Sequence, residues 1–397
     1  MRAVTRFTLT GVTLVFGVGC LGGCGSKFDL PTEQPQVNVI PSDGSYQMIA
    51  TWTGMSGIQD LLLTHGSGSQ LYLLFQRLNS GTSPRGEVFE VARSTPRPIR
   101  AGTFQGLFNP VALCAGGDVE GRALNRVFVL DQGDTCLARE NPATSSCDTT
   151  GGWNTRITHL EYYWRVHEFD LTGAVSHGTF TDTSLAFVYG IAADDRGNVY
   201  VSGKAIIFIP NPFEPRLKER LFQDRVYRYR RGPRPGGGSD PNMPGSNWHR
   251  DQTFEILQGT GVGTVVDPRG MDWTSTSGPA LFVADFGKNW VQKMPDGNVD
   301  LGPAAYYRDG DVLNAPQLSG ATDVYADTDG FFYVVDEGNR RVLRYSDTVR
   351  SFVQVVNVEN NATGQPLLRP VAVAADEDLV YVADHDAGEI IRYRRRP

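Results

Sequence analysis

The stretch that decides the fold runs from Gly320 to Val356. It divides into Gly320-Ala321-Thr322-Asp323-Val324-Tyr325-Ala326, Gly330-Phe331-Phe332-Tyr333-Val334-Val335-Asp336, Asn339-Arg340-Arg341-Val342-Leu343-Arg344-Tyr345 and Phe352-Val353-Gln354-Val355-Val356. Each segment is a short run of β-branched and aromatic residues bounded by Gly, Asp or Asn, the signature of strand and turn. Four such strands joined by tight turns form one antiparallel meander. The pattern restarts at Arg369-Pro370-Val371-Ala372-Val373 and continues through Val380-Tyr381-Val382-Ala383-Asp384 and Gly388-Glu389-Ile390-Ile391-Arg392-Tyr393. Several strands per repeat, at a period of roughly 40 to 50 residues, predict a propeller.

Working outward, the first strand of the repeat recurs at Gly57-Ile58-Gln59-Asp60, Pro110-Val111-Ala112, Gly190-Ile191-Ala192, Gly270-Met271-Asp272, Gly320-Ala321-Thr322-Asp323 and Pro370-Val371-Ala372. The second recurs at Leu71–Phe75, Val127–Asp131, Val199–Gly203, Leu281–Asp285, Phe332–Asp336 and Val380–Asp384. Six repeats predict an all-β, six-bladed propeller of four-stranded antiparallel blades. The second strands are apolar without alternation, as expected where a sheet is covered on both faces. The last repeat ends after three strands, leaving an edge that needs a partner. Tyr46 to Thr53 is a spare strand at the other end, and the prediction is that it completes the last blade and clasps the ring.

These residues resemble the NHL-type repeat, in which a Pro/Gly-Val-Ala strand precedes Gly-Asn-Val-Tyr-Val-Ala-Asp and Asn-x-Arg-Val. Asp195-Arg196-Gly197-Asn198-Val199-Tyr200-Val201 and Val335-Asp336-Glu337-Gly338-Asn339-Arg340-Arg341-Val342 are the nearest copies. The resemblance covers most of residues 54 to 397 and is looser in the first two repeats. Phe75 and Gly203 stand where the repeat has Asp. NHL-like propellers include zinc-dependent amidating lyases. A matching set of three channel histidines is not visible among His65, His159, His167, His177, His249 and His385.

At the start of the chain, Arg2 and Arg6 precede the apolar run Phe7 to Val18, which is too short and glycine-rich to span a bilayer and reads as a secretory signal. Leu21-Gly22-Gly23-Cys24 resembles the lipobox of bacterial lipoproteins. The resemblance implies a signal peptide over residues 1–23, lipidation of Cys24, and anchoring in the cell envelope by acyl chains. The absence of Asp at position 25 favours the outer over the inner membrane. Residues 24–45, with Pro31, Pro35 and Pro41, read as a tether. The propeller then occupies 46–397.

The formal charge is −7, or −9 once Arg2 and Arg6 leave with the leader. An acidic body without a basic run excludes nucleic acid as the main partner. Longer spacings locate insertions at Thr135 to Thr158, Pro210 to Asp224 and Gly232 to Arg250. Cys136 and Cys147 lie in the first and are a candidate disulfide in an exported protein. Cys114 reads as a buried thiol at the end of an inner strand.

Function in a propeller sits at the mouths of the central channel, where loops from all blades meet. Asp131, Asp285, Asp336 and Asp384 end second strands. Recurrence once per blade assigns them a structural role, each accepting N–H groups in its own turn. Asp60, Asp272 and Asp323 lie on the channel-lining strands and are the candidate ligands for Ca²⁺. Asp272 stands one column away from the other two, which would turn it to the opposite face. No nucleophile elbow, P-loop or dinucleotide fingerprint is present, and no cofactor is expected beyond a possible Ca²⁺. Two functions follow. The first is a binding scaffold for a protein, peptide or glycan at the channel mouth. The alternative is a Ca²⁺-dependent lactonase-like hydrolase or a lyase.

Overall fold

The computed structural model describes residues 45–396 apart from 65–70, 77–85, 92–99, 105–106, 108, 117–125, 133–134, 140–156, 163, 174, 211–217, 233–242, 244–246, 277, 296–304, 308–315, 358–366 and 377. The expected signal peptide, the expected lipidation site Cys24, nearly all of the expected tether and Cys147 therefore lie outside the described residues. Cys136 falls in the strand Thr135–Arg139, which pairs with Ile157–Tyr162.

Six four-stranded antiparallel sheets account for all but one hairpin of the described strands, and each runs inner to outer in chain order except the last. The six inner strands are Ile58–Leu63, Pro110–Gly116, Leu185–Ala193, Pro268–Thr274, Ala321–Ala326 and Pro370–Asp376. Each packs on the next and the last on the first, which closes the ring. The fold is the six-bladed propeller that the repeat predicts.

The second strands are buried on both faces. Ala280–Asp285 is buried at every position, and Phe331–Asp336 at all but its first. The apolar clusters span neighbouring blades. Phe282 of blade 4 stacks on Phe332 of blade 5 with ring centroids 4.7 Å apart, and Phe332 stacks on Tyr345 at 5.1 Å. No blade could cover these faces alone, so hydrophobic burial drives closure of the circle.

Blade 6 is completed from the chain's other end. Tyr46–Thr53 pairs antiparallel with Glu389–Arg395, from Tyr46 opposite Arg395 to Thr53 opposite Glu389. Tyr46 and Trp52 are buried, and the Tyr46 hydroxyl lies 2.9 Å from that of Tyr333 in blade 5. The clasp thus joins the outer edge of blade 6 to its neighbour.

Within the insertion at Pro210 to Asp224, the residues from Lys218 onward are strand. The second and third strands of blade 3 continue as a long hairpin, Val199–Pro210 paired with Lys218–Arg231 in unbroken register. Gly203 replaces Asp here for a steric reason. A Cβ at this position would lie 2.1 Å from the Phe187 carbonyl oxygen.

Each of the four carboxylates that end second strands accepts an N–H from the segment entering the inner strand of its own blade. Asp131 accepts from Asn109 at 2.6 Å, Asp285 from Val266 at 3.0 Å, Asp336 from Ser319 at 2.7 Å and Asp384 from Leu368 at 2.6 Å. The donors are not chiefly those of the carboxylate's own turn, as the sequence had suggested. Asp384 also takes the N–H of Arg369, at 2.9 Å, and of Ala387 in its own turn, at 3.2 Å. Removing these acceptors would strand buried donors. Asp384→Ala is expected to lower unfolding free energy by about 2 kcal/mol, read from the urea midpoint at constant m. An unchanged midpoint would dismiss the link.

Candidate binding site in the central channel

The inner strands of all six blades enclose a cavity of about 320 Å³. Asp60 of blade 1, Asp272 of blade 4 and Asp323 of blade 5 all line it. Asp60 pairs with Leu74 and Asp323 with Val335, at equivalent levels, whereas Asp272 pairs with Phe282, two residues deeper. A shift of two keeps the side chain on the same face of a strand. The sequence expectation that Asp272 turns away is therefore corrected. Blade 4 carries the same one-residue bulge as blades 1 and 5, but Pro268, not Met271, takes the place of Ala321 opposite the aspartate that ends the second strand, and this offset is invisible in the residue columns.

The three carboxylates make one recurring connection. Asp60 accepts the Leu61 N–H through Oδ1 and the Leu113 N–H of blade 2 through Oδ2, both at 2.8 Å. Asp272 accepts from Trp273 at 2.8 Å and from Ala326 of blade 5 at 2.7 Å. Asp323 accepts the Val373 N–H of blade 6 at 3.0 Å. Each carboxylate thus ties its inner strand to that of the next blade. Between blades 3 and 4 a different hydroxyl does this work. Ser202 Oγ reaches the carbonyls of Gly190 and Arg269, at 3.4 and 3.3 Å. The backbones are so close there that a Cβ on Gly190 would sit 1.9 Å from the Arg269 oxygen.

The accessible part of each carboxylate faces the channel, so the side chains are half-buried by surface although protein surrounds them. Loss of bulk water pushes Asp60 and Asp272 up to about 7, against the stabilising pull of their backbone donors. Burial first, and then repulsion from Asp60 and Asp272, drives Asp323 well above the ordinary carboxylate range. None of the three has a cation within ion-pair distance among the described residues. Cys114 also lines the cavity as a free, buried thiol, and burial pushes its pKa well up. It stays protonated and a poor nucleophile.

Below the carboxylates, Tyr325 of blade 5 donates to the Leu63 carbonyl of blade 1 at 2.8 Å, linking the two blades that flank blade 6. Above them, the rim is built from residues flanking the strands. Glu337 accepts from Thr322 Oγ1 at 2.6 Å and from Arg369 Nε at 2.9 Å, with Arg269 Nη1 at 3.7 Å. Arg269 also reaches Asp267 at 3.1 Å and lies 3.5 Å over the Phe286 ring. Asp267 in turn donates its N–H to Asp224, at the base of the long blade 3 hairpin, at 3.0 Å. That hairpin therefore rises from the side of the ring that carries the rim. His385 contacts Asp386 at 2.8 Å and does not line the cavity.

Glu337, Arg269 and Arg369 had no assigned role in the sequence. The available signal was positional, since each lies just after a second strand or beside the start of a first strand. Both ends come together at one mouth.

No family model matches the sequence, and no curated protein matches it. Among solved structures, the chain is similar to the PQQ-bound aldose sugar dehydrogenase of Streptomyces coelicolor. Identity is 14%, the TM-score is 0.48, and the match covers 89% of this chain and 99% of that one. It is also similar to the hydrazine synthase of Kuenenia stuttgartiensis, at 10% identity and a TM-score of 0.39, covering 70% of this chain and 68% of that one. These likenesses are too remote to transfer any chemistry.

Proposed function

We propose that this protein is a lipid-anchored, NHL-like propeller of the bacterial cell envelope that binds a protein, peptide or glycan at its channel mouth. The carrying observation is the pairing, on one side of the ring, of a cavity lined by all six blades with a long projecting hairpin. The hairpin exposes Phe208 (54%), Ile209 (40%), Leu221 (41%) and Phe222 (37%), a concentration of apolar surface beside a polar rim. A polar well that orients one group, flanked by apolar area that holds the rest, is the usual composition of a recognition site. Anchoring rests on the Cys24 lipobox. Cys24→Ser is expected to move the protein from the membrane to the soluble envelope fraction, and retention in the membrane would remove the anchor.

The binding test uses the full chain against a random 12-residue phage-displayed peptide library and a printed glycan array. The expected result is a selected peptide or glycan whose binding falls at least tenfold in Arg369→Ala and in Phe208→Ser, about the loss of one charge-assisted hydrogen bond or one buried aromatic contact. Absence of any selected binder, or binders indifferent to both changes, would overturn the reading.

Convergence of Asp60, Asp272 and Asp323 on one cavity favours the hydrolase or lyase with Ca²⁺ as the second reading. Against it, no group of His, Cys, Asp or Glu among the described residues is arranged to hold a metal ion. Elemental analysis after dialysis separates the two, because stoichiometric Ca²⁺ belongs only to the enzyme.

A further inference from the structure

The charged lining of the channel does not balance. Asp60, Asp272, Asp323 and Glu337 face Arg269 and Arg369, four carboxylates against two guanidinium groups. Both arginines are committed to Glu337 at the rim, and Arg269 to Asp267 as well. Among the described residues, the three aspartates are left with backbone N–H donors only. Two N–H bonds fill half of the roughly four acceptor positions of a carboxylate, and the remaining lone pairs of Asp60 and Asp272 open on the cavity. A cluster of like charges held away from water is costly unless something positive joins it. The carboxylates are not grouped to chelate a metal ion, whereas an ammonium donates three hydrogen bonds in separate directions and spans wider gaps.

Resting on the reading of the mouth as the binding site, we infer that the channel well receives a primary ammonium group of the ligand, held by Asp60, Asp272 and Asp323. An amine-bearing molecule or side chain is thereby selected over its neutral counterpart. Three features follow from the same geometry. The cation replaces protons on the carboxylates, so binding strengthens as pH rises through neutrality. The cavity of about 320 Å³ admits a slender alkyl ammonium together with water. The Cys114 thiol on the wall is uncharged and leaves the negative character of the well to the aspartates.

The test is titration calorimetry on the full chain with n-butylamine, putrescine and 1-butanol at pH 8 and pH 6, followed by CaCl₂. The amines are expected to bind at least tenfold tighter than the alcohol at pH 8, the factor for one charge-assisted hydrogen bond. Their affinity should fall severalfold at pH 6, and should be lost in Asp323→Asn and Asp272→Asn but kept in Val349→Ser, an exposed residue in the turn between the two outer strands of blade 5. Equal affinity for amine and alcohol, no heat from either amine, or no weakening at pH 6 overturns the inference. Tight stoichiometric Ca²⁺ that displaces the amines also overturns it and gives the well to a metal. Should either Asn variant fail to fold, the comparison of n-butylamine with 1-butanol on the unaltered protein decides. Peptides or glycans that bind through the rim without an amine would leave the mouth as a binding site while removing the ammonium.

Discussion

A chain lacking residues 46–53 is expected to lose its cooperative melting transition, or to melt at least about 15 °C lower than the intact protein. The strand contributes the whole outer edge of blade 6, seven paired positions against Glu389–Arg395. It also buries Trp52, whose ring lies 6.0 Å from Tyr381 with the Arg392 guanidinium 5.4 Å from its centroid. Loss of a buried Trp side chain alone costs about 3–5 kcal/mol. At about 2.1 cal/mol/K per residue for a domain of this length, that corresponds to roughly 4–7 °C. The deletion removes Tyr46 as well and leaves the last strand as an open edge. Removal of eight residues from the tether, 30 to 37, is the control and is expected to leave the midpoint unchanged. Differential scanning fluorimetry on the two deletions measures this directly, and equal midpoints would mean that the ring does not need its clasp.

The second large effect is a loss of stability on the alkaline side. Asp60 and Asp272 are raised to about 7 in the folded chain by burial, from an ordinary value near 4 when unfolded. Between these values the native state binds more protons than the unfolded one, so stability falls as pH rises and levels off once pH exceeds 7. Their stabilising protonation is fully present below pH 4 and is gone above pH 7. Across pH 5 to 8 the two groups together contribute about 4 kcal/mol, from about 1.4 kcal/mol per pKa unit per group with allowance for their access to the channel. That is about 5 °C for a propeller of this size. Melting followed at pH 5, 6, 7 and 8 should show this decline, and Asp272→Asn should flatten it by removing one titrating group. A midpoint that holds or rises over this range would show that the channel carboxylates ionise as ordinary surface groups.

The contrast between blades 4 and 5 shows where legibility ended. Both read in sequence as a Gly-led inner strand with an aspartate, and both do line the channel. Their depth could not be read, because the two similar Gly-led segments enter the sheet at different points, with Pro268 opposite Asp285 and Ala321 opposite Asp336 and an equal bulge after each. Ser202 shows the same limit. In the sequence it is one small polar residue in an apolar strand, and in the fold its hydroxyl bridges two blades. The rim of Arg269, Glu337 and Arg369 was harder still, since its members lie up to 100 residues apart and on different blades.

The sequence by itself determined the number of blades, the order of strands within them and the clasp, because these depend on local propensity and on an apolar pattern that repeats about every 50 residues. Tertiary structure alone decided that three aspartates share one cavity, that the blade 3 hairpin stands on the side of its rim, and that no cation among the described residues answers the carboxylates inside. Those facts depend on how the ring closes. Closure brings together residues that no period in the chain connects, and it removes them from the water that would otherwise have set their charge.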